Sequence, residues 1–390
     1  MKKASAEMTI KWIFALIAGG FILFFFMNFY EGYKATAEEK AMVDIKIKLN
    51  NILGNAQGHP YTIIPFPVAE TQLSYDDCTT GLYMNNNRNL RMQLGDLFTF
   101  NTITTQTNEL LLFVLPFKLP FQITNFIYLT SPDIRFVFLK SGDSQDVLNT
   151  LLDPRTNKIF VPGGKVQTLI TDEFAADGNK ISELGNLLSD NYYKTIFVLD
   201  KKMEDNEKFT GTMPTTFSNM DNVNILRIDP DPNKNSGKVE LTTYRKTKNG
   251  DQTKKQTAYY IDESTLIGAI LSDDLELYNC TLANAFVRMG GMLDILEKRC
   301  ESIYKGYEQI KNDATPNLPL TCNDYETIYD SSFGCGSAVS DMSNNIKNGD
   351  LSTSTTRANI RDSAHSELYA DSLYYVNNLQ AKNKDCPLIY

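Results

Sequence analysis

The sequence predicts an α/β body carried on one N-terminal transmembrane helix and followed by a C-terminal antiparallel helical hairpin braced by disulfides. Three observations predict it. The uncharged run Trp12 to Tyr30 has nineteen residues, which at ~1.5 Å per residue cross the ~30 Å hydrocarbon core of a bilayer. Short apolar runs at Ile134 to Leu139, Lys194 to Leu199 and Val223 to Ile228 alternate with helix-like segments, the pattern of a largely parallel sheet. From Leu282 to Ile310, apolar residues recur at 4,3 spacing and describe a long helix with one apolar seam.

At the N-terminus, Lys2, Lys3 and Lys11 precede the apolar run, and Glu31, Glu38 and Glu39 follow it. The positive-inside bias therefore puts the N-terminus in the cytoplasm and the body outside the membrane. Trp12, Tyr30 and Tyr33 fall where interfacial aromatics belong. Residues 1–34 carry four Lys against two Glu, a balance of +2, so the rest of the chain carries −11 of the total −9. A cleaved signal peptide is the competing reading, with small residues at Ala35 to Ala37, but its apolar region has roughly 7 to 15 residues. Met42, Ile45, Leu49 and Ile52 continue at 3,4,3 spacing, which makes 35–58 an amphipathic juxtamembrane helix stopped by Gly54 and Gly58-His59-Pro60. Ala15 and Gly19 form a small-xxx-small pair through which two anchors could self-associate.

Residues 59–272 read as one α/β domain with a β-rich start. Between Pro60 and Pro132, β-branched and aromatic residues are broken by turn residues, with strands expected at Glu109 to Lys118 and Phe126 to Thr130. Helices are expected near 143–152 and 179–189, between the parallel strands. Lys238 to Tyr244 and Thr257 to Ile261 flank Asn249-Gly250, a pair suited to a hairpin turn. Thr265 to Leu271 supplies one more apolar strand. The expected sheet is mixed, with an antiparallel hairpin at one edge.

Residues 273–390 form the helical, Cys-containing region. The seam Leu282, Phe286, Met289, Leu293, Leu296, Cys300, Ile303, Tyr307 and Ile310 needs a cover, for which a helix over 360–379, with Leu368, Tyr375, Val376 and Leu379, is the candidate. Gly290-Gly291 calls for close packing or a kink, since each Gly costs a helix about 1 kcal/mol relative to Ala. Cys78, Cys280, Cys300, Cys322, Cys335 and Cys386 are even in number and lie on the outer side, so a disulfide framework is expected. The chain has no C-x-x-C pair, and His59 and His365 are remote in sequence from the Cys, so zinc spacing is absent. On one straight helix, Cys280 and Cys300 stand about 30 Å apart and must take other partners. The pairing stays open.

Two resemblances bear on these elements. KWIFALIAGGFILFFF at the anchor, PFKLPFQITNFIYLTSPDIRFVF (Pro116 to Phe138) and TLIGAILSDDLELYNC (Thr265 to Cys280) resemble a poorly characterised family of single-pass, membrane-anchored proteins from small-genome DPANN archaea. That likeness spans roughly 10–300 and implies location and architecture. The N-terminus alone, Lys2-Lys3-Ala4 with Glu7 before an apolar helix, resembles a type IV pilin, which implies an assembly subunit. Cleavage after Ala4 would set Glu7 third, where pilins have their glutamate fifth.

Motifs of chemistry are weak. Asp229, Asp231 and Asn233, with Glu240 twelfth from Asp229, resemble a calcium loop, yet Lys234 stands where the turn glycine belongs and strands flank it. Gly334-Cys335-Gly336-Ser337 with His365 lacks nucleophile-elbow spacing, and Pro162-Gly163-Gly164-Lys165 lacks that of a phosphate loop. Asn279-Cys280-Thr281 fits a glycosylation sequon. Arg245, Lys246, Lys248, Lys254 and Lys255 crowd the Asn249-Gly250 turn as a solvated hairpin tip. With 42% hydrophobic residues the chain buries a core, and its net −9 argues against nucleic acid as a partner. The expectation is a non-enzymatic envelope or surface interaction component without cofactor, partnered by another envelope protein. The alternatives are an anchored hydrolase using carboxylates and a pilin-like subunit.

Overall fold

The computed structural model describes residues 2–56, 63–67, 71–75, 82–84, 87–92, 97–98, 102–105, 109–119, 122–139, 144–153, 159–160, 167–171, 192, 194–200, 222–231, 236–247 and 250–312. Lys2–Ala56 form one unbroken helix, α1, of 55 residues. Its window Leu16–Lys34 has a mean hydropathy of 1.3 and is nowhere buried. This is a helix long and apolar enough to cross a membrane. Beyond Lys34 the same helix continues to Ala56, a further ~33 Å at ~1.5 Å per residue.

The described strands are β1 (Ile63–Pro67), β2 (Thr71–Tyr75), β3 (Leu82–Met84), β4 (Asn87–Met92), β5 (Leu97–Phe98), β6 (Thr102–Thr105), β7 (Glu109–Lys118), β8 (Gln122–Thr130), β9 (Ile134–Leu139), β10 (Gln167–Thr171), β11 (Lys194–Asp200), β12 (Asn222–Pro230), β13 (Gly237–Thr247) and β14 (Gly250–Tyr260). The described helices after α1 are α2 (Gln145–Leu151), α3 (Glu263–Leu271) and α4 (Leu275–Asn312). The β-rich start resolves into two sheets, β4-β3-β2-β6 and β1-β7-β8-β5. In the second, β7 and β8 pair antiparallel and stack Phe113 on Tyr128 at 5.0 Å between ring centroids.

The third sheet has the order β10-β9-β11-β12-β13-β14. Its first four strands run parallel, whereas β13 and β14 are antiparallel. The mixed, largely parallel sheet with an antiparallel edge hairpin is thus as the sequence predicts. Thr247 pairs with Gly250, so the chain reverses over 248–249, which lie outside the described residues, and Gly250 opens β14. Every residue of β9 and β11 is buried, as parallel strands covered on both faces require. Register puts Phe136, Phe138, Ile196, Val198, Leu226 and Val239 on one face, where they join a continuous core with α3, α4, β7 and β8. Val137, Phe197, Val223 and Ile225 are buried on the other face.

Thr265–Leu271 is not a strand: it lies in α3. Eight of the nine residues of α3 are buried, so its apolar pattern has no polar side and loses helical periodicity. The capping chemistry decides the conformation. The Asp262 carboxylate accepts from Thr265 N at 2.8 Å, while Thr265 Oγ1 accepts from Asp262 N at 3.0 Å, a reciprocal cap that satisfies backbone donors only at a helix start.

Along α4, Leu282, Phe286, Met289 and Leu293 are fully buried. The sheet of β7 and β8 covers them: the Phe286 ring meets Phe117 edge-on at 6.3 Å. The 360–379 helix, and with it the helical hairpin, lies outside the described residues, as does the helix expected at 179–189. The helix runs unbroken through Gly290-Gly291. A methyl group added at Gly291 would meet nothing within 4 Å, so no close packing offsets that glycine.

Candidate functional site

The parallel strands and β14 all point their carboxyl ends to one edge of the six-stranded sheet. From β9 the chain passes to β10 on one side and then to β11 on the other, which makes the β9/β11 gap a topological switch point, the usual ligand crevice of open α/β sheets. At its mouth the Asp200 carboxylate, 2% exposed, accepts from the backbone N–H of Ser144 at 2.6 Å. That bond fixes the start of α2.

Beside it opens a cleft of about 430 Å³ between α2 and the start of α3, closed by the ends of β7 and β14. Its floor is apolar, with Leu119, Val147, Leu151, Ile261 and Leu266 all buried. Among the described residues its rim carries Lys118, Asp146 and Glu263, beside Asp262, whose carboxylate caps α3. Tyr260, also in the lining, is 2% exposed and its hydroxyl has no hydrogen-bond partner. Burial, then the charges of Asp231 and Asp229, push that phenol well above its usual range. The Tyr128 hydroxyl donates to Ser264 O at 2.6 Å and ties β8 to α3. Burial first, and then Asp262, raise its pKa.

The opposite edge is closed. Lys194, first in β11, donates to the Asp273 carboxylate in the α3–α4 link, and both side chains are buried. Asn224 Nδ2 donates to the same carboxylate at 2.8 Å, and Arg245 stands 3.6 Å from it. Burial lowers the Lys194 pKa against the opposing pull of Asp273. Next in sequence, Asp274 accepts from Lys254 at 2.8 Å and from Gln256 at 2.6 Å. Two consecutive aspartates thereby staple the helical link to four strands.

The sequence-derived candidates fare unevenly. Asp231 accepts from Ser236 Oγ at 2.6 Å, and Glu240 from Lys238 at 2.5 Å; Asn233 lies outside the described residues. Among the described residues no group of three or more His, Cys, Asp or Glu is placed to hold a metal ion. Cys280 and Cys300 both fall on α4, and Cys280, half-buried, is not a free thiol. Cys78, Cys322, Cys335, Cys386, His59, His365 and the Gly163-Gly164 and Gly334 to Ser337 turns lie outside the described residues. The sequon Asn279 to Thr281 sits on α4 with Thr281 buried and donating to Leu277 O at 3.1 Å, which leaves it no extended backbone for glycosylation. Arg245 and Lys254, read as solvated, keep much of their side chains in solvent while standing 3.6 Å from Asp273 and 2.8 Å from Asp274.

Sequence reasoning missed β10, the cleft and the Asp273 network. The only local signal was Ser272-Asp273-Asp274 ahead of Leu275, a helix-start pattern, and the expected strand over Thr265–Leu271 concealed it. No protein-family model, curated protein or solved structure matches the chain.

Proposed function

We propose that the protein is a single-pass component of a cell envelope, with its N-terminus in the cytoplasm and its α/β body outside, where it acts by binding and not by catalysis. The observation that carries this reading is the unburied, largely apolar window Leu16–Lys34 on a helix that continues unbroken to Ala56. In water, so large an exposed apolar surface would be unstable; in a bilayer it is the anchor. Unbroken helix through Ala35 to Ala37 also opposes cleavage there, because proteases take extended backbone. Buried acids at both sheet edges, Asp200 and Asp273, hold structure, which supports a binding scaffold.

The C-terminal region is braced by disulfides in this reading, in keeping with Cys280 not being a free thiol. Gly19, with no neighbour within 4 Å, gives two anchors a face for close approach. Carbonate extraction and protease treatment of intact and permeabilised cells test the proposal. Retention of the full-length chain in the pellet, with the body digested in intact cells, is the expected result. Release of a chain that starts near Glu38 would overturn it. The cleft acids favour one second reading, an anchored hydrolase, for which Glu263→Gln would abolish turnover.

A further inference from the structure

We propose that the outer edge of β14 pairs with β14 of a second copy of the chain, antiparallel and two-fold symmetric about Thr253, so that two six-stranded sheets join into one. This deepens the reading of the body as a binding module and names a partner for it. The other outer strands of the three sheets have six residues or fewer, whereas β14 has eleven. A long bare edge is a template for another strand. Among the described residues no strand or loop bonds to the outer main chain of 251–257, and Gln252 to Lys255 and Thr257 are exposed. Register shows which groups that edge offers. Thr247 pairs with Gly250 across a two-residue connection, whose closing pair is hydrogen-bonded, and such pairs alternate along an antiparallel ladder. Even-numbered residues of β14 therefore bond to β13, and odd-numbered ones point N–H and C=O outward. Accordingly, the carbonyl of Tyr259 accepts from the Tyr278 hydroxyl at 2.9 Å, which ends the free stretch. Two such edges fit each other, odd residue against odd. A two-fold axis at Lys254 or Lys255 would set that lysine against itself, and one at Gln256 would run Thr253 into the occupied Tyr259. With the axis at Thr253, Thr253 meets Thr253, Lys254 meets Gln252 and Lys255 meets Asp251. Position 251 is already registered with Lys246 in its own hairpin, so the acid stands between two lysines and need not be unpaired. The lysines that blunt this edge against other pairings leave one self-register open.

The test is mild oxidative cross-linking of the full chain in detergent micelles, with the unsubstituted chain as the background for its own cysteines and the bonded pairs mapped by peptide mass. Thr253→Cys should give a disulfide-linked dimer through position 253 at least about tenfold faster than Lys255→Cys or Thr257→Cys, since only residue 253 lies within disulfide reach of its own copy. A mixture of Asp251→Cys and Lys255→Cys chains should cross-link 251 to 255, and neither chain alone should do so. That mixture serves if the pair at 253 is poorly angled for a disulfide. Adding Thr253→Pro to both chains removes an outward N–H and no bond to β13, and should slow the reaction about tenfold through two lost main-chain hydrogen bonds. Equal cross-linking at 253, 255 and 257, self-linking fastest at 255, or no link at any of them would overturn the proposal. So would chains that stay unlinked in micelles but couple from position 253 to a different protein in native membranes, which would give the edge to another partner's strand. Pairing in micelles does not depend on membrane orientation, so its failure and that of the extraction test are separable.

Discussion

The two edges of the six-stranded sheet use the same residue types to opposite ends. At the amino edge, Lys194, Asn224 and Asp273 meet away from water, with Lys194 and Asn224 Nδ2 both donating to the Asp273 carboxylate. At the carboxyl edge, Asp146 and Glu263 stand exposed around an apolar hollow. Burial makes the difference. A charge sealed in protein must be paired where it stands, so it acts as a lock. One at a rim keeps much of its water and contributes little to stability.

Removing one partner of the lock should have the largest effect. Asp273→Ala leaves the Lys194 ammonium buried without its partner, and should cost about 3–5 kcal/mol in urea unfolding. Adding Lys194→Met should recover much of that loss in a double-mutant cycle; additive losses would mean that the two side chains act separately. Gly237→Ala probes the carboxyl edge. A Cβ there would lie 2.4 Å from Asp229 O and 2.7 Å from Pro230 Cα, both backbone atoms that cannot yield locally, so a loss of about 1–3 kcal/mol is expected. A neutral outcome would show that the β12–β13 start can open. Removing the α3 cap with Asp262→Ala should cost about 1 kcal/mol, measured in the same way.

The pH response distinguishes the edges further. Burial raises the Asp274 pKa, but bonds from Lys254, Gln256 and the Glu276 N–H outweigh it and hold the carboxyl below its ordinary 3.8. Its folded pKa is depressed, so its contribution is present above about pH 4 and lost as pH falls through the folded value. Asp274→Asn should flatten stability against pH below about pH 4, by roughly 1 kcal/mol; an unchanged acid limb would remove Asp274 from the staple. The smallest effect carries the opposite sign. Gly291→Ala, on an exposed helical site with nothing near its Cβ, should stabilise by about 0.5–1 kcal/mol. A loss there would show that α4 packs at Gly291.

Elements with a local signature were legible. β7 matches its expected span, Glu109 to Lys118, because turn residues bound a run of strand formers. The parallel strands β9, β11 and β12 stood out as apolar runs, and the edge hairpin was marked by its Asn-Gly pair. β10 was missed: QTLIT has one strongly apolar pair and three polar residues, too little contrast for a short window. α3 was misread because burial on all sides erases the pattern that separates a helix from a strand. No part of the cleft was legible, as its walls come from three segments more than twenty residues apart.

By itself, the sequence determined what repeats along the chain: the apolar window of α1, the strand runs, the seam of α4 and the excess of acid beyond residue 34. Those properties depend on neighbours a few residues apart, so spacing and composition encode them. Only the tertiary structure decided that Asp273 would meet Lys194, 79 residues away, that the α4 seam would lie on β-sheet, and that a hollow would open beside α3. The physical reason is that an aspartate's role depends on the partner and the solvent the fold brings to it, and both arrive from distant parts of the chain.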